Sequence, residues 1–402
     1  MNRRSFLFFL LSLLCLPATA QLSDSKLFNC QIYMWDTCRM RMAKESQETI
    51  YVNARKALLR EADKLLQESP ATVLDQERVA PSKNKHDYFS MARYWWRNPD
   101  TPDGLPYVRR DGEVNPETKN LGRTQLSRFE KQITILTLAY YYSGKEVYAE
   151  QAWTALRTWF LNKKTYMSPH MQYSQVRMGH NNNQGSNSGL LDGYSFLCIP
   201  DVLSILSVSP SAKPKEAEAI RLWFAQYLEW MTTSEQGKEE DHAANNHGTA
   251  YHIQVALYAS FAENDTLRQQ YIRSFAQKRI LPQFEPDGRQ PKELVRTRAF
   301  GYSCYNLKHI FDFADICERQ GIHLFDDAEV RARIIAAIDY LTPYLGRPVA
   351  AWPYQQIADW EKEQQTLCWI LYRADTYFPE KGYKDLFQKH NKAKPSDRNY
   401  LL

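Results

Sequence analysis

The chain has 402 residues, with 51 lysines and arginines against 46 aspartates and glutamates, so its formal net charge is only +5. This small excess does not predict a nucleic-acid-binding protein, although it permits a locally basic cleft for an acidic ligand. The sequence contains no Cys-x-x-Cys and no His-Glu-x-x-His pattern. We therefore expect no structural zinc, no catalytic metal and no cofactor.

The N-terminal 20 residues have the pattern of a secretory signal. Arg3 and Arg4 precede an apolar run from Phe6 to Leu16, and small residues at 18–20 provide a cleavage site. The apolar run is too short to span a membrane. We expect residues 1–20 to be removed and residues 21–402 to be a periplasmic or secreted protein without a membrane span. Cys30 and Cys38 are then the close pair that could form a disulfide.

Apolar residues recur at three- and four-residue steps through most of the remaining chain, as in amphipathic helices. The segments Gln125 to Tyr142 and Glu146 to Leu161 are separated by Ser143-Gly144, which predicts a helical hairpin. Further helices are predicted at 46–68, 189–206, 215–231, 249–261, 266–280, 293–319, 328–345 and 362–377. Strand-like alternation is scarce and no linker interrupts the series, so the pattern favours a single-domain all-α fold.

Two segments, about 81–120 and 165–188, lack helical periodicity and are rich in aromatic residues or asparagine. Long ordered loops usually serve a binding site. Aromatic rings stack on the apolar faces of sugars, arginine pairs with carboxylates, and asparagine bonds hydroxyls or carboxylates. The candidates for these contacts are Tyr88, Tyr94, Trp96, Tyr107, Arg109, Arg110, Asn183 and Asn187. Alternatively, the tryptophans plug the end of the fold, Asn187 caps a helix, and Asp111 holds one of the arginines.

Two short central segments have the residue types that proton abstraction next to a carboxylate requires. They are Asn245-Asn246-His247-Gly248 and the run from Arg296 to Tyr302, which includes Arg298. The carboxylate must be neutralised by Asn, His or Arg, and Tyr or His must hold the proton. The alternative interpretation is structural, with the asparagines capping a helix and the tyrosine packing in a core.

Several motifs in the same order are found in a known family. They are His86-Asp87-Tyr88, Tyr94-Trp95-Trp96, the run 104–112, Asn245 to Thr249, Asp287 to Pro291, Glu293 and the Arg296 to Tyr302 segment. On these motifs most of the mature chain resembles the alginate-lyase-like polysaccharide lyases, and it is more similar to polysaccharide lyase family 38 than to family 5. The resemblance implies an α/α toroid, an incomplete barrel of six or seven helical hairpins.

The resemblance also implies a function and the roles of individual residues. The enzyme would cleave an acidic, uronic-acid-containing polysaccharide of the alginate or glucuronan type by β-elimination. Asn246 would neutralise the uronate carboxylate, and His247 would assist it or act as base for one C5 epimer. Tyr302 would be the general acid and base, and Arg296 or Arg298 would favour its ionised form.

Two other functions remain open from the sequence alone. A glycoside hydrolase is possible on the same fold, because four acidic residues could supply a carboxylate pair: Asp241, Glu285, Asp287 and Glu293. A non-catalytic glycan-binding protein could use the same aromatic groove. The asparagine–histidine and arginine–tyrosine segments favour the lyase over both.

Overall fold

Helices dominate the computed structural model, which describes residues 34–402, and the predicted signal segment and Cys30 lie outside this range. The helices are α1 Thr37–Glu45, α2 Thr49–Leu65, α3 Gly122–Ser143, α4 Glu146–Leu156, α5 Ile199–Leu206, α6 Pro214–Thr233, α7 Glu235–Asp241, α8 Asn246–Phe261, α9 Asp265–Phe275, α10 Pro291–Leu294, α11 Ala299–Glu318, α12 Ala328–Leu341, α13 Trp360–Tyr377 and α14 Tyr383–His390. The all-α prediction is confirmed.

The helices pack in successive hairpins, as the sequence predicts. Helix α3 ends where Gly144 adopts a left-handed conformation with φ 69° and donates its backbone N–H to the carbonyl of Tyr140. Glycine adopts this conformation without strain, which explains why the helix ends where the sequence predicts. The chain then returns along α3 as α4. Two further pairs of consecutive helices pack in the same way, α8 against α9 and α13 against α14.

Helices α8 and α11 are the inner helices of this arrangement. In α8, 14 of 16 residues are buried, and in α11, 15 of 20 are buried. The two helices pack against each other, and α6 and α9 also pack on α8. A helix that is apolar on all sides is stable only when it is covered on all sides. The two central motifs are at the N-terminal ends of these inner helices, so the fold brings them to the same end of the molecule.

Some predicted boundaries are confirmed and others are wrong. The helices predicted to reach residues 161 and 280 do so, and their last turns are π-helical, at Arg157–Leu161 and Ala276–Ile280. The segment predicted as one helix from 189 begins as a 3-10 helix, Asn187–Phe196, before α5. The short helices α1, α7 and α14 were not predicted, because one to three turns give too few residues for a periodic pattern.

One helical stretch of the described chain, Asn181–Leu206, is long and apolar enough to cross a membrane by length and composition. However, 72% of its most apolar window is buried inside the protein. A helix in the core of a protein has the same composition, and the burial fits that role.

The two irregular segments are joined by short strands. Strand β1 (Phe89–Met91) pairs in parallel with β4 (Tyr173–Val176), and β2 (Trp95–Trp96) pairs antiparallel with β3 (Val108–Arg109). Backbone hydrogen bonding therefore fixes the segments predicted as loops. They lie over the N-terminal ends of α8 and α11 and form one wall of a cleft.

Candidate active site

A cleft of about 780 Å³ lies between the two irregular segments and the N-terminal ends of α8 and α11. Nine basic side chains line it, against two acidic ones, Glu240 and Glu363. The ratio of basic to acidic side chains is much higher here than in the whole chain, where it is 51 to 46. The cleft is therefore suited to an anionic ligand, because charges of one sign concentrated in a concave site reinforce one another.

His247 faces this cleft from the first turn of α8. The side chain of Asn245 caps the helix by accepting the backbone N–H of His247 at 3.2 Å. The ring nitrogen Nδ1 of His247 lies 2.8 Å from Oε1 of Glu240, a buried carboxylate on α7. Because a carboxylate accepts hydrogen bonds, Nδ1 carries the proton and the contact fixes the orientation of the ring.

Gly248 explains why the motif needs glycine after histidine. A Cβ atom at this position would lie 2.0 Å from the carbonyl oxygen of Ala243 and 2.5 Å from a guanidinium nitrogen of Arg279. Any side chain would push α8 away from the segment that precedes it. The close approach keeps His247 beside Glu240.

Asn246 lines the cleft at the start of α8, but its amide group contacts the protein, and its contact with a substrate carboxylate stays a prediction. The residue has no exposed surface, and both its backbone N–H and its Nδ2 donate to Glu293 at 2.7 Å. Glu293 is also buried, which raises the pKa of its carboxyl group. The pair fixes the start of α8 behind His247, and the Oδ1 atom of Asn246 has no hydrogen-bond partner among the described residues.

Tyr302 lies in the first turn of α11 with its hydroxyl group in the cleft. The Nη2 atom of Arg296 donates to this hydroxyl at 3.0 Å, and the hydroxyl donates to that of Tyr94 at 2.9 Å. The guanidinium carbon of Arg296 lies 4.0 Å from the centre of the Tyr302 ring. Burial raises the pKa of Tyr302 above its ordinary value, whereas the Arg296 guanidinium lowers this pKa and so favours the ionised phenol.

The two candidate arginines have different environments. Arg296 is held by Asp111 through Nε at 3.1 Å and Nη2 at 2.8 Å, a two-pronged contact that leaves the guanidinium against Tyr302. Arg298 also lines the cleft, but it pairs with Asp359 and, at 3.4 Å, with Glu363. Arg296 is therefore the arginine that contacts the phenol.

Three other predicted residues line the cleft. Asn187 donates from Nδ2 to Glu240 at 3.0 Å, so one carboxylate orients both Asn187 and His247. Tyr94 contacts Tyr302, as described, and Arg109 pairs with Asp111 at 2.6 Å while its side chain stays more than half exposed. Their contacts with a substrate remain predictions.

Two predicted substrate-binding tyrosines are buried instead. Tyr88 has no exposed surface and donates its hydroxyl to Asp192 at 2.8 Å. Tyr107 is 3% exposed and donates to Glu117, and burial raises its pKa to about 12. Both phenols are hydrogen-bonded inside the protein, and neither residue lines the cleft.

Trp96, Arg110 and Asn183 also lie outside the cleft. The Trp96 indole donates to the carbonyl of Glu113 at 3.1 Å, and Arg110 stacks over its ring at 5.1 Å. Asn183 accepts the backbone N–H of Gly179 at 2.7 Å. The tryptophan that lines the cleft is Trp95, because the antiparallel pairing of β2 and β3 turns adjacent residues to opposite faces.

Several cleft residues were missed from the sequence because they belong to none of the motifs discussed above. They include Arg93, Arg123, Arg177 and Lys308. Arg123 reaches the cleft from α3 and pairs with Asp192 at 3.1 Å. A single arginine in a helix or at the end of a strand has no sequence signal of its own, and only the fold brings these side chains together.

We expect Tyr107→Phe to retain activity within about twofold. Loss of the hydrogen bond between the phenol and Glu117 should lower the free energy of unfolding by about 1–2 kcal/mol, because the bond involves a charged group. Thermal unfolding and kcat/KM measured on the same preparation check both statements. A large loss of activity without a loss of stability would return Tyr107 to the substrate-binding set.

The comparisons with known proteins support one family. The sequence model of the alginate lyase family matches residues 73–352. The chain belongs to the alginate lyase family. The crystal structure of an alginate lyase from Bacteroides ovatus is 40% identical, with a TM-score of 0.89 over 92% of this chain and 98% of that one. No curated protein matches the chain.

Less similar solved structures share the fold. Alginate lyase A1-III from Sphingomonas species A1 is 17% identical, with a TM-score of 0.57 over 87% of this chain and 88% of that one. A variant of that enzyme complexed with a tetrasaccharide is also 17% identical, with a TM-score of 0.58 over 91% of this chain and 93% of that one. The single-domain α/α toroid is thus confirmed.

Proposed function

We propose that the protein is a polysaccharide lyase that cleaves a uronic-acid-containing polysaccharide, of the alginate or glucuronan type, by β-elimination. One observation supports this proposal most directly. The Tyr302 hydroxyl, the Arg296 guanidinium and the His247 imidazole all line one strongly basic cleft. The membership of the alginate lyase family supports the same reaction.

The proposed reaction begins with the uronate carboxylate at the N-terminal end of α8. Backbone N–H groups and the helix dipole add positive potential there, and His247 faces the same point. Ionised Tyr302 removes the C5 proton, the electron pair forms the C4–C5 double bond, and the C4–O4 bond breaks. Tyr302 then returns the proton to O4, and Arg296 stabilises the phenolate throughout.

His247 has one ring nitrogen for this chemistry. Glu240 holds Nδ1, so Nε2 is the nitrogen left for the substrate. As an imidazolium, His247 would donate from Nε2 to the carboxylate, and as a neutral ring it would accept a proton from the C5 epimer whose hydrogen lies on its side. Asn246 and Glu293 contribute by fixing the backbone of the helix start.

A glycoside hydrolase is disfavoured by the positions of its candidate acids. Asp241 pairs with Arg279 at 2.7 Å, and Glu285 and Asp287 both pair with Arg289. None of them lines the cleft, and neither does the buried Glu293. The pair of carboxylates that hydrolysis needs on either side of a glycosidic bond is therefore not formed by these residues.

Ultraviolet absorbance during digestion tests the proposed reaction. A lyase produces a conjugated unsaturated uronate that absorbs, a hydrolase produces new reducing ends without that absorbance, and a binding protein produces neither. A panel of mannuronate blocks, guluronate blocks, glucuronan and glycosaminoglycans identifies the uronate. Reducing ends without absorbance on every substrate of the panel would refute the lyase.

We expect activity to survive exhaustive treatment with EDTA. The carboxylate is neutralised by protein groups in this mechanism, and the nine basic residues of the cleft repel a divalent cation. Initial rates before and after chelation and gel filtration measure the effect. Loss of activity that calcium or zinc restores would show that a metal neutralises the carboxylate.

We also propose that the protein is exported with removal of residues 1–20. The Arg3-Arg4 pair, the apolar run and the small residues at 18–20 support this localisation. N-terminal sequencing of the protein from a periplasmic extract should begin at Gln21.

A further inference from the structure

One wall of the cleft is the corner between α7 and α8, residues 240–247. The residues of this corner that line the cleft are Glu240 and the run from Ala243 to His247. Residues 242–245 belong to no helix or strand. Glu240 lies in the last turn of α7 and His247 in the first turn of α8, so the hydrogen bond between them depends on how the corner is folded.

A buried arginine, Arg279, contacts this corner from the side away from the cleft. Its side chain is 4% exposed and does not line the cleft. Nη2 donates to the backbone carbonyl of Asp241 at 2.8 Å and to its carboxylate at 2.7 Å, and Nη1 donates to the carbonyl of Ala243 at 3.1 Å. Nε donates to Nδ1 of His252 in α8 at 3.2 Å. One guanidinium group therefore joins the end of α7, the corner and α8.

The partners of Arg279 are suited to a guanidinium group. Asp241 is the last residue of α7, and the final carbonyls of a helix lack partners within the helix and attract a cation. Burial lowers the pKa of His252 to about 3, so its ring is neutral and can accept a hydrogen bond. The other ring nitrogen, Nε2, donates to the carbonyl of Tyr271, which leaves Nδ1 as the acceptor for Arg279.

Two local features of the backbone allow Arg279 to reach the corner. The residue lies in the π-turn Ala276–Ile280, which contains one more residue than an α-helical turn and changes the direction of the side chains that follow α9. Gly248 leaves room for the guanidinium group, because a Cβ atom there would lie 2.5 Å from Nη1. The guanidinium group thus fits between α8 and the corner.

We propose that Arg279 is a positioning residue for the elimination, which fixes the corner so that Glu240 holds His247 where the carboxylate of the reacting sugar binds. The inference rests on the proposed function. Arg279 acts through the contact of Glu240 with His247 and does not touch the substrate. A displacement of about 1 Å at a reacting group can cost about 100-fold in rate. Loss of Arg279 should lower kcat more than it changes KM, because His247 acts on charge that develops in the transition state.

Steady-state kinetics of two variants test this role. Arg279→Ala and Arg279→Lys should each lower kcat about 10-fold or more, since the single ammonium group of lysine cannot replace three separately directed nitrogen atoms. Arg268→Ala is the matched control. Arg268 is also buried, lies on α9, and pairs with Asp265 at 3.1 Å and with Gln320 at 2.7 Å, both outside the corner. This variant should lose stability and keep its kcat.

Two further measurements separate positioning from a general loss of structure. Guanidinium ion at a non-denaturing concentration should restore part of the kcat of Arg279→Ala and leave that of Arg268→Ala unchanged. In a His247→Ala background, Arg279→Ala should lower kcat no further, because the position of the corner no longer matters once the imidazole is removed. If Arg279→Ala does not fold, Arg279→Lys in both backgrounds makes the same comparison.

Three results would overturn the assignment. They are a normal kcat in a folded Arg279→Lys variant, an equal fractional loss of kcat with and without His247, and a loss of kcat in Arg268→Ala as large as that in Arg279→Ala. Failure of the proposed function would look different, because the wild-type protein would then produce no ultraviolet-absorbing product from any uronan. Lyase activity in the wild type with a normal kcat in both Arg279 variants would retain the function and remove the positioning role.

Discussion

Replacing Tyr302 by phenylalanine should lower kcat about 100-fold or more and leave the melting temperature nearly unchanged. The substitution removes the oxygen that carries the proton between C5 and O4 and removes almost no volume. It also removes the group that Arg296 and Tyr94 contact, at 3.0 Å and 2.9 Å. Steady-state kinetics and thermal unfolding of the variant measure the two effects.

Tyr305→Phe is the matched control for this result. Tyr305 is one helical turn further along α11 and lines the same cleft, and its replacement by phenylalanine also removes a phenolic oxygen. We expect it to retain most of the wild-type rate. Tyr302→Phe activity above about a tenth of wild type, or an equal loss in Tyr305→Phe, would remove Tyr302 from the chemistry.

The pH dependence gives an independent test of Tyr302. Burial raises the pKa of the phenol, so at neutral pH the free enzyme holds it protonated and only a small fraction is ready to act as base. The ionised fraction grows as pH rises toward that pKa. We therefore expect kcat/KM to increase from pH 7 into the alkaline range for as long as the enzyme stays folded.

Replacing His247 by alanine should lower kcat about 100- to 1,000-fold, because it removes a donor aimed at the charge that develops on the carboxylate. The structure separates this role from helix capping. The cap of α8 is the side chain of Asn245, whereas the imidazole of His247 points to Glu240 and the cleft. Kinetics at saturating substrate measure the loss.

Asn245→Ala provides the comparison on the same helix. It should lower the free energy of unfolding by about 0.5–2 kcal/mol, as loss of a capping residue does, and change kcat little under folding conditions. A marked fall in the melting temperature of His247→Ala together with a normal kcat would assign His247 to structure.

The sequence predicted the helical hairpins because each helix has an apolar stripe that needs a neighbour, and glycine or an acidic turn marks the boundaries. It also predicted that the start of α8 and the Arg296 to Tyr302 segment belong together. The structure brings them to one cleft because α8 and α11 are neighbouring inner helices. This prediction rested on the order of the motifs, because neither segment alone indicates which distant part of the chain it contacts.

The sequence did not distinguish aromatic residues that face a ligand from those that pack inside. Tyr88 and Tyr107 lie in a segment with the composition of a sugar-binding loop, but their hydroxyls are hydrogen-bonded inside the protein. Tyr88 donates to Asp192, which is distant in the sequence, and Tyr107 donates to Glu117. The role of Glu240 was missed for the same reason. Its two contacts, with Asn187 and His247, depend on how α7 packs.

Asp111 joins two parts of the chain that are 185 residues apart. Its carboxylate holds Arg296 and accepts the hydroxyl and backbone N–H of Thr297, while it also pairs with Arg109 on its own segment. The position of the segment that carries Asp111 and the orientation of Arg296 are thus linked. Because such coupling is reciprocal, we expect a saccharide that favours the oriented arginine to protect this segment from proteolysis.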